Sequence, residues 1–296
     1  MPLLIFCLLL IGCLQPLVAQ QTDSISTPTP ASEQLTPDSA ALGVLDCITN
    51  LPDDWLRFGR ETFRWENAPL IGGIAISTIA AVVYDKELYD PVRHQYTSSK
   101  TVAFAMDRGV DIGDGKFQFG IAAGFAAYGW LTHDRHALRT ASEVCEVILA
   151  AGGVVQLLKH VTGRESPFTA THPTGRWVLF PNQIEYFKHV PHYDAFPSGH
   201  VCTALATLTV VSENYPDARW LPYVGYPAIA WLGYSMVGQG IHWVSDYPLS
   251  IVLGYTFGKL VSHRKLFDGI SSKVQTQEYP YVHSDGTSGI NLQLSW

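Results

Sequence analysis

The chain has 296 residues, of which 47% are hydrophobic and only 15% charged, with a net charge of −7 at pH 7. About a quarter of an ordinary soluble domain is charged, so this balance leans toward a membrane, while a mean hydropathy of +0.10 is low for a chain made mostly of lipid-embedded helix. A pI near 5.8 and the lack of any lysine cluster or basic stripe argue against nucleic acid as the partner.

Residues 1–19 read as a secretory signal: an apolar core from Leu3 to Leu14 precedes Leu17-Val18-Ala19 and polar Gln20 and Gln21, although no Lys or Arg stands before it. Cys13 after Leu10-Ile11-Gly12 also admits lipidation, and an uncleaved anchor is a third reading. Cleavage removes Cys7 and Cys13 and leaves Cys47, Cys145 and Cys202, whose spacings match no zinc pattern. Cys145 and Cys202 stand in apolar runs and read as buried thiols. Residues 20–40, rich in Ser, Thr, Pro and Gln, read as a linker. Over 41–66 the spacing of Leu42, Leu45, Ile48, Leu51, Trp55, Leu56 and Phe63 predicts one or two amphipathic helices broken at Pro52, packed on a bundle rather than lying on a membrane surface.

Six apolar runs come next: Ala68 to Tyr84, Phe117 to Leu131, Ala141 to Leu158, Val201 to Val211, Leu221 to Val237 and Tyr247 to Val261. Rich in Gly and Ala, and mostly just short of what about 30 Å of hydrocarbon requires, they predict an all-α bundle of about six core helices over 67–265. An irregular loop, Glu165 to Ala195, separates the third helix from the fourth and reads as the wall or lid of a site. If the chain starts outside a membrane and the first three runs all cross it, Lys159 and the motifs C-terminal to it end up inside. For a secreted enzyme that is the wrong side, so the expectation is a non-spanning bundle that rests on a membrane at its extracytoplasmic, periplasmic face. Residues 266–296 form a tail, in which Gly289 to Trp296 alternates like a single β-strand.

The chemistry sits where these runs begin and end. Phe196-Pro197-Ser198-Gly199-His200 opens the fourth run, so its backbone N–H groups and the helix dipole converge on a place suited to an anion. His242 has a carboxylate, Asp246, one helical turn on, able to take the imidazole N–H and set its tautomer. Lys159 and Arg164 close the third run with two cations. Two histidines, a carboxylate, an anion-binding turn and two cations suit phosphoryl transfer through a histidine. Blander readings stand beside this one. Ser198 caps a helix with His200 merely packed, and His242 with Asp246 and His200 forms a metal site, which the neighbouring cations oppose. Glu143 and Glu146 read as a solvated or paired helix face, His189 and His192 as solvent-facing or structural, and Trp220, Trp231 and Trp243 as core or interface anchors.

The ordered set Lys159, Pro197-Ser198-Gly199-His200, Ser235 and His242 with Asp246 resembles the three signature motifs of the type 2 phosphatidic acid phosphatase superfamily, which also holds bacterial class A acid phosphatases and vanadium haloperoxidases. The likeness runs over about residues 65–262. It implies that His242 attacks phosphorus while Asp246 holds its far nitrogen, that His200 protonates the leaving alcohol and later activates water, and that Lys159, Ser198 and the Gly199 N–H bind the phosphoryl oxygens, with no metal and no cofactor. Two arginines of the family's motifs are replaced, by Ser166 and Met236. Arg164 is the expected substitute for one; Arg176, Lys188 or Gln239 stands in for the other. The activity expected is a metal-independent phosphatase acting on phosphomonoesters or diphosphates, of lipids such as phosphatidic acid or prenyl diphosphates, or of a small soluble ester. The alternatives are a non-catalytic envelope bundle and a vanadium-dependent haloperoxidase.

Overall fold

The computed structural model describes residues 46–264 and two strands, 275–282 and 288–295. The expected signal (1–19), the linker (20–40) and the stretch 265–274 lie outside the described residues.

In chain order the helices are α1 (Asp46–Thr49), α2 (Leu51–Thr62), α3 (Ala68–Val83), α4 (Asp85–Ser98), α5 (Lys100–Asp111), α6 (Gly115–Thr132), α7 (Arg135–Thr162), the short α8 (Gln183–Lys188), α9 (Gly199–Asn214), α10 (Trp220–Gln239) and α11 (Tyr247–Ser262). All six apolar runs are helical, and the bundle is all-α. A tail hairpin comes last, in which β1 (Gln275–Val282) pairs antiparallel with β2 (Ser288–Ser295), Gln275 opposite Ser295. The strand expected near the C-terminus thus has a partner.

Helix α9 belongs to both halves of the core. On one side Val201 and Leu205 meet Met106 of α5, Leu232 and Met236 of α10, and Ile251 of α11. On the other, Cys202, Ala206 and Val210 meet Val144, Val147 and Ala151 of α7 and Phe257 and Val261 of α11. Glycine brings α11 against α9: a Cβ at Gly254 would strike the Cys202 carbonyl, and one at Gly258 would lie 2.5 Å from the Thr209 Cβ. The backbones meet because no side chain stands between them.

Helices α4 and α5 are absent from the sequence reading, because α4 is polar and the apolar stretch of α5, residues 102–106, is short. Val92 of α4 and Met106 of α5 are nonetheless buried, and polar ties fasten α4 to α10. Arg93 donates to the carbonyls of Gly238 and Gln239 at 3.0 and 3.2 Å, neutralising the C-terminal end of α10. The Tyr234 hydroxyl lies 2.9 Å from Gln95 Oε1. From α5, Asp107 accepts the Gln239 amide at 2.9 Å.

The segment Glu165–Ala195 is more ordered than an irregular loop. It holds α8 and two 3-10 turns, and the buried Glu165 carboxylate gathers the N–H groups of Thr171 and Arg176 at 3.0 and 2.9 Å. The N-terminal helices pack on the bundle: the Trp55 indole donates to the Ala150 carbonyl at 3.0 Å and Phe58 stacks on Phe257 at 4.6 Å. Glu143 and Glu146 are buried and paired, the first with Arg139 at 2.5 Å and the second with Arg264. Two stretches, Trp65–Val83 and Arg135–Thr162, are long and apolar enough to cross a membrane. The second is half buried in the bundle, whereas the first, which includes α3, has few buried residues and exposes Ile76, Ile79 and Val83.

Gly254→Ala is expected to lower stability by about 2 kcal/mol, since the close approach of α9 and α11 leaves no room for a methyl. Gly59→Ala in α2, where an added Cβ meets nothing within 4 Å, is expected to be neutral or stabilising by up to about 1 kcal/mol. Thermal unfolding of both variants in one detergent checks the pair.

Candidate active site

Ser198 caps α9, its Oγ accepting the Val201 N–H at 3.5 Å, and its own N–H donates to the backbone carbonyl of Asp246 at 3.2 Å. That second bond joins the Pro-Ser-Gly-His turn to the His-Asp motif. On the other side of the junction α10 ends at Gly240, whose φ of 84° suits glycine, and the chain passes through His242 into a 3-10 turn, Val244–Asp246.

His242 is almost fully buried, and its Nδ1 lies 2.7 Å from the Ala195 carbonyl and 3.3 Å from Asp246 Oδ2. Both neighbours only accept hydrogen bonds, so Nδ1 carries the proton and Nε2 keeps its lone pair. The carboxylate that sets this tautomer is itself fully engaged. Asp246 Oδ2 also takes the Trp243 N–H at 2.8 Å, and Oδ1 takes Arg164 at 2.5 Å.

Arg164 differs from its expected role. It comes directly after Gly163, which ends α7 at a φ of 50°, and the turn carries its side chain beneath the His-Asp motif. One terminal nitrogen donates to Ser245 Oγ at 2.6 Å and to Asp246; the other donates to Asp85 Oδ2 at 2.6 Å and to the Thr174 carbonyl at 2.9 Å. The guanidinium has no exposed surface and packs against Trp177 and Trp243, 4.6 and 5.5 Å from their ring centres. Its fork is spent on two aspartates, so it supports the His242–Asp246 pair and leaves no terminal nitrogen free for a phosphate.

Asp85, at the start of α4, is the partner that the sequence reading missed. It accepts the Ser245 N–H at 3.1 Å and the Ser245 hydroxyl at 2.5 Å as well as Arg164. Burial pushes its carboxyl up to about 6, Arg164 pulling down and Asp246 adding to the rise. Nothing local marks this residue as special, because its contacts are remote in sequence.

His200 lies within electrostatic reach of both His242 and Lys159. Burial, then the nearby His242 and Lys159, lower His200 to about 4, against the opposite pull of Asp114 and Asp194. The 113–114 loop lies directly on His200, for a Cβ at Gly113 would sit 2.7 Å from the His200 Cβ. Lys159, in the last turn of α7, pairs with Asp194 at 3.2 Å. Asp114 and Asp194 do not stand out in the sequence, since both are single acids within loops.

The positions that replace the family's arginines are buried: Ser166 donates its N–H to the Pro191 carbonyl at 2.9 Å, and Met236 lies in the core. The other candidate donors already have acidic partners. Arg176 lies 3.8 Å from Glu165, Lys188 lies 3.1 Å from Glu185, and Gln239 donates to Asp107 at 2.9 Å. Ser235, buried in α10, has no hydrogen-bond partner for its hydroxyl.

A family model, the PAP2 superfamily, matches residues 140–267. This segment, which carries Lys159, His200, His242 and Asp246, is similar to the PAP2 superfamily, and that supports a phosphatase-type activity in broad terms. Comparison with curated proteins and with solved structures finds no match.

Arg164→Met is expected to cost about 3–5 kcal/mol, because it leaves Asp85 and Asp246 buried without their cation. Arg164→Lys is expected to recover only part of this, since one ammonium cannot fork between two carboxylates. Denaturant unfolding of the two variants beside the parent chain measures both effects.

Proposed function

We propose that the chain is a metal-independent phosphatase that transfers a phosphoryl group from an ester or diphosphate to His242 and then to water. The observation that carries this reading is the His242 tautomer: with Nδ1–H held by Ala195 and Asp246, the bare Nε2 is the nucleophile, next to His200 and Lys159. The Nε2 lone pair forms a P–N bond as the P–O bond to the leaving group breaks, and His200 passes a proton to the departing oxygen. In the second half His200 takes a proton from water, the resulting hydroxide attacks phosphorus, and the P–N bond breaks to free inorganic phosphate and restore His242. Lys159, Ser198 and the Gly199 N–H hold the phosphoryl oxygens at the N-terminus of α9. Arg164 and Asp85 position the His242–Asp246 pair and do not touch the phosphoryl group.

A His200 held near 4 is neutral at working pH, so the proton it passes on arrives with the substrate monoanion. A phosphoryl group loses that second proton at a pKa of about 6. For an alkyl ester, kcat/KM is therefore expected to fall by about tenfold per unit as pH rises above ~6.

The exposed apolar side chains of α3, Ile76, Ile79 and Val83, support a lipid-borne phosphate as the substrate, of phosphatidic acid or prenyl diphosphate type. α3 ends at Val83, and Asp85, two residues on, bonds to Ser245 and Arg164. A membrane that covers α3 is thereby brought to the His-Asp motif. An extracytoplasmic setting, at the periplasmic face of a bacterial membrane, fits a chain that begins with a signal-like segment. A second reading, a non-catalytic bundle, is favoured by the buried Ser166 and Met236 and by the pairing of Lys159 with Asp194.

The test is release of inorganic phosphate by the chain in detergent with chelator, from p-nitrophenyl phosphate, phosphatidic acid and a prenyl diphosphate. Turnover is expected to vanish in His242→Ala and to slow by about 10²–10⁴ for alkyl esters in His200→Ala. No turnover on any of the three by a folded protein supports the non-catalytic reading instead.

A further inference from the structure

We infer that Asp194 sets which phosphates the site admits, by holding the Lys159 ammonium that a substrate phosphate must take over. The inference rests on the hydrolase reading above and extends it to the choice of substrate. Lys159 is buried, its side chain 7% exposed, while that of Asp194, 3.2 Å from Nζ, is 30% exposed. The carboxylate is thus the more open of the two, placed where an incoming anion meets the lysine. Asp194 is also rigidly placed. The next residue, Ala195, donates its N–H to the Arg164 carbonyl at 3.0 Å and offers its own carbonyl to His242 at 2.7 Å, so the segment that bears Asp194 also holds the nucleophile.

The charges nearby give the pairing its consequence. The buried Arg164 is shared between Asp85 and Asp246, which leaves that cluster with one negative charge in excess when both are ionised. Lys159 is balanced by Asp194, and Asp114 faces His200. Among the described residues around the two histidines, no cation lacks a carboxylate partner. A compact dianion such as inorganic phosphate therefore gains the lysine only by displacing a carboxylate that is already well placed, and the exchange of one anion for another yields little net attraction. A phosphate that carries a long apolar chain has a second source of binding in the exposed apolar side chains of α3, Ile76, Ile79 and Val83. The site thus discriminates against free phosphate and small phosphate esters in favour of amphiphilic ones, and releases its inorganic product readily.

The experiment uses the full chain in detergent and inorganic phosphate as the probe, titrated by calorimetry into the parent, Asp194→Asn, Lys159→Met and the double variant. Asp194→Asn keeps the shape and removes the competing charge. It is expected to bind phosphate about tenfold more tightly than the parent, and the gain is expected to disappear in the double variant. KM for p-nitrophenyl phosphate is expected to fall by a similar factor with kcat changed less than about threefold, a split that a merely structural role would not produce. Asp194→Ser provides the same measurement if the asparagine variant does not fold. Phosphate affinity that is unchanged or weaker without the carboxylate, or a gain that persists without Lys159, overturns the inference. Binding needs no turnover, so the titration decides the role of Asp194 even if no ester is hydrolysed. In that event the hydrolase reading falls on its own, while normal turnover with an unaltered Asp194→Asn affinity and KM removes only the inference.

Discussion

The site depends on one buried guanidinium. Arg164 has no exposed surface, and taking a charge out of water costs several kcal/mol unless its partners are excellent. Asp246, Asp85, Ser245 and the Thr174 carbonyl are those partners, and they come from α4, from the turn after α10 and from the long segment between α7 and α9. One side chain therefore ties together three parts of the chain that are remote in sequence. Because Asp246 faces Arg164 with one oxygen and His242 with the other, the ion cluster is also the support of the histidine. The contacts that satisfy the cluster are thus also those that orient the imidazole.

What could be read in the sequence was whatever depends on near neighbours. The Ser198 cap, the turn before His200 and the spacing of His242 from Asp246 are local chemistry, and the structure places them next to one another through the bond from the Ser198 N–H to the Asp246 carbonyl. The six apolar runs were legible because each is a continuous apolar stretch, whether it is buried among its neighbours, as in α9 and α11, or largely exposed, as in α3. Helices α4 and α5 were not, since each buries only a narrow stripe, around Val92 or Met106, beneath a polar surface. Arg164 shows a different limit. Its distance from Lys159 identifies it as a cation near the site, but the direction of its side chain is decided by the left-handed turn at Gly163. That turn sends it under the motif instead of toward a phosphate. Asp85 could not be seen at all, because its value lies wholly in partners brought to it by the fold.

The absent arginines take on meaning in this setting. At their positions stand a loop serine and a core methionine, both buried, and the remaining lysine is shared with Asp194. The proposed anion site thus relies on the helix N-terminus and one ammonium already paired with a carboxylate, an arrangement with less intrinsic grip on phosphate than a pair of guanidinium forks. On the proposal of a lipid-borne phosphate, the exposed apolar side chains of α3, which ends beside the His-Asp motif, supply what such a site lacks by concentrating the substrate where direct electrostatic attraction is weak. Strength of binding and place of binding become a joint property of the pocket and the apolar surface.

The proposed attack by His242 requires that the fold itself set this ring as the Nδ1–H tautomer with Nε2 bare. Two-bond ¹H–¹⁵N correlation spectra of the chain labelled at histidine nitrogens, with His242→Gln to assign the ring, read the tautomer directly. A single Nδ1–H form at neutral pH, lost when Arg164 or Asp246 is replaced, is the expected result. An Nε2–H form, or a ring that averages between the two, would contradict it.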